Sequence, residues 1–197
     1  FEKLGGTIVA EEQFQTNQSD FKAILTNIKS ANPDIIFAPS SITTAPLIIK
    51  QAREMGITAV IAAGDTWENA TIIENAGADA EGTVFSTFYD EAAPANDEAA
   101  AFVDGFKAYL TGIGESDIIP AVSALGYDAY ITAVQAIKDA DSVDPAAIKD
   151  ALKNVHVEGV TGDITFDENG DANKDMAYIK TIKDGQIVFL TTTSIDE

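Results

Sequence analysis

Apolar residues recur along this chain in short runs that alternate between two periods. Phe21, Ile24, Leu25 and Ile28 fall at i, i+3, i+4 and i+7 spacing, which predicts a helix behind a cap at Ser19 or Asp20. Asn32-Pro33-Asp34 ends it. Ile35 to Ala38 is a continuous apolar run and predicts a strand buried on both faces. Pro39 to Thr44 reads as a loop. Ile48, Ala52 and Met55 then define one helix face, with Gly56 as the stop. The cycle repeats with a strand over 58–62, a loop over 64–67, a short helix over 72–78 and a strand over 82–88. A further strand is expected over Thr7–Ala10, where the residues are β-branched. The run Phe1–Gly6 before it reads as the last turn of a helix ending at a glycine pair, as if cut from a longer chain. Strands alternating with helices imply βαβ units and a doubly wound, mostly parallel α/β sheet.

Near residue 90 the pattern changes. Three helices are predicted in succession. The first runs over 96–111 with Phe102, Phe106 and Leu110 in a row. The second runs over 121–140 with Leu125, Ala129, Ala133 and Ile137 inward. The third opens at Asp144-Pro145 and ends near Asn154. Strands follow over 162–166, 176–182 and 186–190. Asn169-Gly170 and Asp184-Gly185 mark the turns between them. A boundary therefore falls at 88–92, between an α/β half-domain and a helical block with hairpins.

Composition narrows the function classes. The 197 residues are 46% hydrophobic and 22% charged, ordinary globular usage. A net charge of −20 repels phosphate backbones and anionic lipid, so nucleic acid is not an expected partner. The acids are spread out, as on a solvated surface. The absence of cysteine removes disulfides, thiolate metal sites and thiol nucleophiles.

Candidate chemistry is sparse. There is no G-x-G-x-x-G after a strand, no P-loop and no nucleophile elbow. His156, the only histidine, has no partner pattern. Asp167 to Asp175 places oxygen ligands at alternate positions, as a calcium loop would. Ala172 and Tyr178 stand where that loop needs glycine and glutamate, and a polar hairpin turn explains the run better. Neither a metal nor a cofactor is expected. The loops after the second and third strands carry more. In an open parallel sheet, ligands bind at the carboxyl ends of the strands. Ser40, Ser41, Thr43 and Thr44 lie at one such end, and Asp65, Thr66 and Trp67 at the next. An acid, an aromatic plate and hydroxyls suit a small ligand bearing an amine. The same residues also suit helix capping, and the two roles are compatible.

Four segments stand in the order and spacing of one family: Ile48 to Gly56, Gly126 to Ala129, Asp144 to Leu152 and Gly159 to Asp171. The chain resembles the type 1 periplasmic binding proteins of branched-chain amino-acid ABC transporters over nearly its whole length, and looks like the carboxyl-terminal half alone. That resemblance implies a non-enzymatic receptor. It would capture an amino acid, or a similar small amine or carboxylate, between two hinged lobes and deliver it to an ABC permease. The location implied is periplasmic or extracellular, with lipid anchoring possible in the full-length protein. Residues 1–88 would be part of the second lobe and 89–180 part of the first, with 181–197 returning near the hinge. The resemblance places the acid that holds the ligand's ammonium at Asp65. Ser40-Ser41 stand where the family has an aromatic, which suits a smaller or more polar ligand. Trp67 would supply the missing plate, and Val122 matches a position that lines the side-chain pocket. A sensor ectodomain of the same fold and a doubly wound hydrolase are the alternatives. Lobes without their partner segments expose apolar faces, so self-association is expected.

Overall fold

The structure is a computed structural model and describes residues 1–94, 96–174 and 176–194. Its chain divides into two compact units. The first comprises Phe1–Ser86 with Lys180–Leu190, and the second Thr87–Ile179 with the strand end from Thr191.

In the first unit the alternating periods become α1 (Lys22–Ala31), β1 (Ile35–Phe37), α2 (Ala45–Glu54), β2 (Val60–Ala63), α3 (Ala70–Ala76) and β3 (Val84–Thr87). Capping follows local chemistry. The cap position of α1 falls on Phe21, one residue past the expected Ser19 or Asp20 and without a side-chain cap bond; the Asp20 carboxylate accepts from the Lys22 amide at 3.0 Å, and Asn32 closes α1 in the left-handed region. Asn69 Oδ1 accepts from the Thr71 amide to start α3. The five-stranded sheet has the order β1-β2-β3-β6-β7, where β6 is Met176–Lys183 and β7 is Gln186–Ser194. Pairing of β1 with β2 and of β2 with β3 is parallel. Phe21, Leu25, Ile49 and Ile72 from the helices share one core with Ile36, Ile61 and Phe85 from the strands.

Two expectations for this unit change. The run 7–10 forms no strand, and Ile8 and Val9 are exposed. A β-branched run needs a neighbouring ladder, and none is paired to it among the described residues. The second concerns β1, which is buried on one face only. All three helices pack on the Ile36 side, so Ile35 and Phe37 are 59% and 69% exposed, beside Val60 at 40%. Period 2 turns one-sided cover into an alternating burial pattern even where the sequence is continuously apolar.

The second unit contains α4 (Asp97–Ile113), α5 (Ala121–Ala140), α6 (Pro145–Leu152) and an antiparallel pair, β4 (Val157–Gly159) with β5 (Gly162–Ile164). Strand β4 was not expected from its mixed sequence. The Asn96 side chain accepts from Ala99 N–H and caps α4, and Asp144 accepts from Ala146 and Ala147, the cap the sequence implies for α6. Phe102 stacks on Phe106 and leans on Tyr127, with Tyr89 at its edge.

Helix α5 does not bury the apolar stripe predicted for it. Ala129, Ala133 and Ile137 are exposed, and the buried line is Ala121, Ala124, Asp128, Thr132 and Ala136. Asp128 explains the rotation. Its carboxylate, 3% exposed, accepts from Val160 N–H at 2.7 Å, Thr161 N–H at 2.9 Å and Thr161 Oγ1 at 2.6 Å. Charge-assisted bonds of this kind are strong, and three of them outweigh the burial of Ala129, Ala133 and Ile137. Lys174 Nζ adds bonds to the Thr161 carbonyl and hydroxyl at 3.0 and 2.9 Å. The β4–β5 turn is thereby pinned to α5. The approach is close enough that a Cβ at Gly159 would lie 2.6 Å from Asp128 Oδ2.

The polar run after β5 is a turn closed by its own acid. Asp167 Oδ1 accepts from the Asn169 and Asp171 amides at 2.8 and 2.9 Å. The Asp171 amide first, then the Asn169 and Gly170 groups, hold the Asp167 carboxyl below the usual aspartate range. A carboxylate favoured by the fold stabilises the turn above the ordinary aspartate pKa. That contribution is lost as pH falls through the lowered value.

Two measurements check this description. Gly159→Ala should lower unfolding stability by about 1–3 kcal/mol, the usual cost of overpacking; an unchanged denaturant midpoint would contradict the contact. NMR titration of Asp167 should give a pKa below that of an unstructured peptide carrying the same residues, with the turn loosening only below it. Equal values would remove the turn bonds from the account.

Candidate functional site

The carboxyl ends of β1 and β2 carry the two loops singled out by sequence, and both lie in the first unit. Residues Ala38–Thr44 follow β1. Ala38 N–H still bonds the Ala62 carbonyl at 2.8 Å, so the sheet holds the start of the loop. After β2, Gly64 leads into a 3₁₀ turn over Asp65–Trp67, closed by Glu68 N–H on the Asp65 carbonyl at 3.0 Å. Thr66 Oγ1 donates to the Ser40 carbonyl at 3.1 Å and joins the two loops. Ser40, Ser41, Asp65, Thr66 and Trp67 are therefore brought together on one sheet end. Val122 lies in the second unit, at the start of α5, 53% exposed.

Each of these side chains has a distinct setting. Ser41 Oγ bonds within its own loop, lying 3.0 Å from both Thr43 Oγ1 and Thr44 Oγ1 and accepting from the Thr44 amide. Its carbonyl accepts from the Thr44 and Ala45 amides, so Ser41 organises the entry to α2. Among the described residues, Ser40 Oγ is buried without a hydrogen-bond partner, as is Trp67 Nε1. Buried polar atoms are nearly always satisfied, so two such atoms in adjoining loops mark this end as unusual. Trp67 itself is 0% exposed and packs in the core. A plate role would require its ring to leave that core.

The two acids of the second loop differ in the same way. Asp65 is half-buried, and its carboxylate forms no hydrogen bond or ion pair among the described residues. Glu68, three residues on, is 3% exposed and forms an ion pair with Lys180 Nζ of β6, also 3% exposed. Sequence reading missed this pair, which spans 112 positions. The available clue was Lys180 itself, a lone cation inside the apolar strand Ala177-Tyr-Ile-Lys-Thr-Ile182, where burial demands an opposite charge.

The other candidates fall away from this cluster. His156 Nε2 stands 3.7 Å from Asp163 Oδ2, both exposed, in the second unit. The run considered as a calcium loop is the turn closed by Asp167, and its Asp175 lies outside the described residues. No group of three or more His, Cys, Asp or Glu able to hold a metal occurs among the described residues. The second unit has an open cavity of about 610 Å³ beside Tyr89, Asp90, Thr161, Lys174 and Tyr178. None of the expected site residues lines it. Its size rests on open space, whereas the loop cluster has an uncommitted acid at the position the topology favours.

Small polar loops and an acid at the carboxyl ends of parallel strands occupy the place where an open α/β sheet holds a small ligand. The sequence profile described as periplasmic binding protein matches residues 1–186, and the chain belongs to that family. It is 35% identical to a leucine binding protein from Thermotoga maritima of known structure, with a TM-score of 0.87 over 100% of this chain and 54% of that one. It is 31% identical to a branched-chain amino acid transporter substrate binding protein from Streptococcus pneumoniae, solved with isoleucine. That match has a TM-score of 0.76 over 95% of this chain and 52% of the other. A curated relative is the leucine-, isoleucine-, valine-, threonine- and alanine-binding protein of Pseudomonas aeruginosa, 26% identical over 86% of this chain and 44% of its own length. The chain thus spans about half the length of these relatives.

The fold is the type 1 periplasmic binding protein fold, mixed α/β with a mostly parallel sheet. The family is one of binding proteins, not of enzymes, so the hydrolase alternative falls. Its name places its members outside the cytoplasm. Among the described residues no helix is long and apolar enough to cross a membrane.

Proposed function

We propose that this chain is the carboxyl-terminal half of a receptor that captures an amino acid outside the cytoplasm and hands it to an ABC permease. In the full-length protein, residues 1–88 contribute to the second lobe, 89–180 to the first, and 181–197 return near the hinge. The ligand is held between the lobes, and a lipid anchor on the full-length protein fits the extracellular placement. One observation carries the reading: of the two acids in the loop after β2, Glu68 is committed to Lys180, and Asp65 is left with a carboxylate unpaired among the described residues. An ammonium is the chemistry that such a carboxylate at a strand end suits best. Ser40, Ser41 and Thr66 give the adjoining loop a small polar surface, Trp67 supports it from the core, and Val122 meets the ligand side chain. The amino-acid class rests on the printed ligands of the relatives.

Calorimetry on the full-length protein tests this with leucine, isoleucine, valine, threonine and alanine. At least one should bind, and Asp65→Ala should weaken it about 10- to 100-fold, the worth of a hydrogen bond to a charged group. Equal affinity in the variant would remove Asp65 from the site.

The bare sheet face formed by Ile35, Phe37 and Val60 supports a second expectation for the chain by itself. Exposed contiguous apolar surface on a sheet favours pairing with another copy. Light scattering on the isolated 197-residue chain should show dimers or larger species; a monodisperse monomer across the micromolar range would count against it.

A further inference from the structure

We propose that the buried Glu68–Lys180 pair is the positioning device of the ligand loop: Glu68 and Lys180 set where Asp65 stands, and ligand affinity depends on them without contact. This deepens the binding reading above and rests on it.

The geometry runs in both directions from Glu68. On one side the Glu68 amide bonds the Asp65 carbonyl at 3.0 Å, and the 3₁₀ turn leaves no free residue between the two acids. On the other side the Asn69 amide bonds the Trp67 carbonyl at 2.8 Å, and Asn69 starts α3. The loop is therefore short, bonded at both ends and anchored in its middle by the Glu68 side chain. Its anchor point is a rigid one. Thr181 Oγ1 bonds the Thr83 carbonyl at 2.7 Å, Ile182 N–H bonds the same carbonyl, and Ile182 is in the core. Lys180 is also the first residue by which the chain re-enters the first unit.

Stability alone does not account for such a pair. Removing two charges from water costs several kcal/mol per ion, and an apolar pair of the same volume commonly folds as well or better. A ligand-contacting carboxylate, by contrast, must be held within about half an ångström of its productive place. The pair meets that need. It also neutralises the second acid of the loop, so that a single anionic group is left to select an ammonium.

The test uses the full-length protein and the same five amino acids. The double variant Glu68→Leu with Lys180→Met replaces the pair by apolar side chains of similar size. It should unfold at or above the wild-type temperature and bind at least 10-fold more weakly. Adding Asp65→Ala to it should then cost much less than Asp65→Ala costs in the wild type, because the two sets of changes remove one shared interaction. The conservative Glu68→Asp keeps both charges but shortens the reach by one methylene. It should fold normally and lose affinity several-fold, which keeps the idea testable if the double variant does not fold. Wild-type affinity in a folded double variant, or in Glu68→Asp, overturns the positioning role. If Asp65→Ala itself leaves affinity unchanged, it is the binding reading that fails. The two failures are thus told apart.

Discussion

An ammonium removed from water must be met by a carboxylate, and that constraint ties the two segments of the first unit together. Lys180 enters the sheet from a part of the chain more than a hundred residues away from Glu68. Once Lys180 is buried, Glu68 must be inside as well. Burial of Glu68 draws the loop after β2 down onto the sheet, sends Trp67 into the core and leaves Asp65 at the rim. In the wild-type chain the burial of β6 and the closure of the loop thus go together. Breaking one partner leaves a lone buried charge, which is far costlier than never having made the pair.

The second unit relies on the same physics with different partners. Asp128 is buried on α5 and is met by two backbone amides and a hydroxyl rather than by a cation. Its three bonds fix the β4–β5 turn, and the turn's glycine at 159 lets the backbone come close enough. In each unit a buried acid joins elements distant in sequence, while the apolar core supplies most of the stabilisation.

What was legible in the sequence was local. The cap at Asp144, the end of the first helix at Asn32 and the turn at Asn169-Gly170 depend on a few neighbouring residues, and they stand as read. The loops with Ser40 and Asp65 were also found, because strand ends follow from the alternation of periods. Features set by distant partners were not legible. The face that α5 buries is decided by amides 32 and 33 positions away, so the apolar stripe misled. The half-exposed β1 depends on which sheet face the helices cover. Ser41 looked like a binding hydroxyl as much as a cap, and its bonds place it in the loop's own scaffold. The commitment of Glu68 depended on a cation in β6, which no local pattern links to it.

The packing of Trp67 has an optical consequence. It is the chain's single tryptophan, and it lies in the core of the first unit next to Glu68. The five tyrosines, at 89, 109, 127, 130 and 178, all belong to the second unit. Indole emission excited at the red edge of protein absorption, where phenol does not absorb, therefore reports the first unit alone. The natural sequence carries a probe of one unit, with no label added.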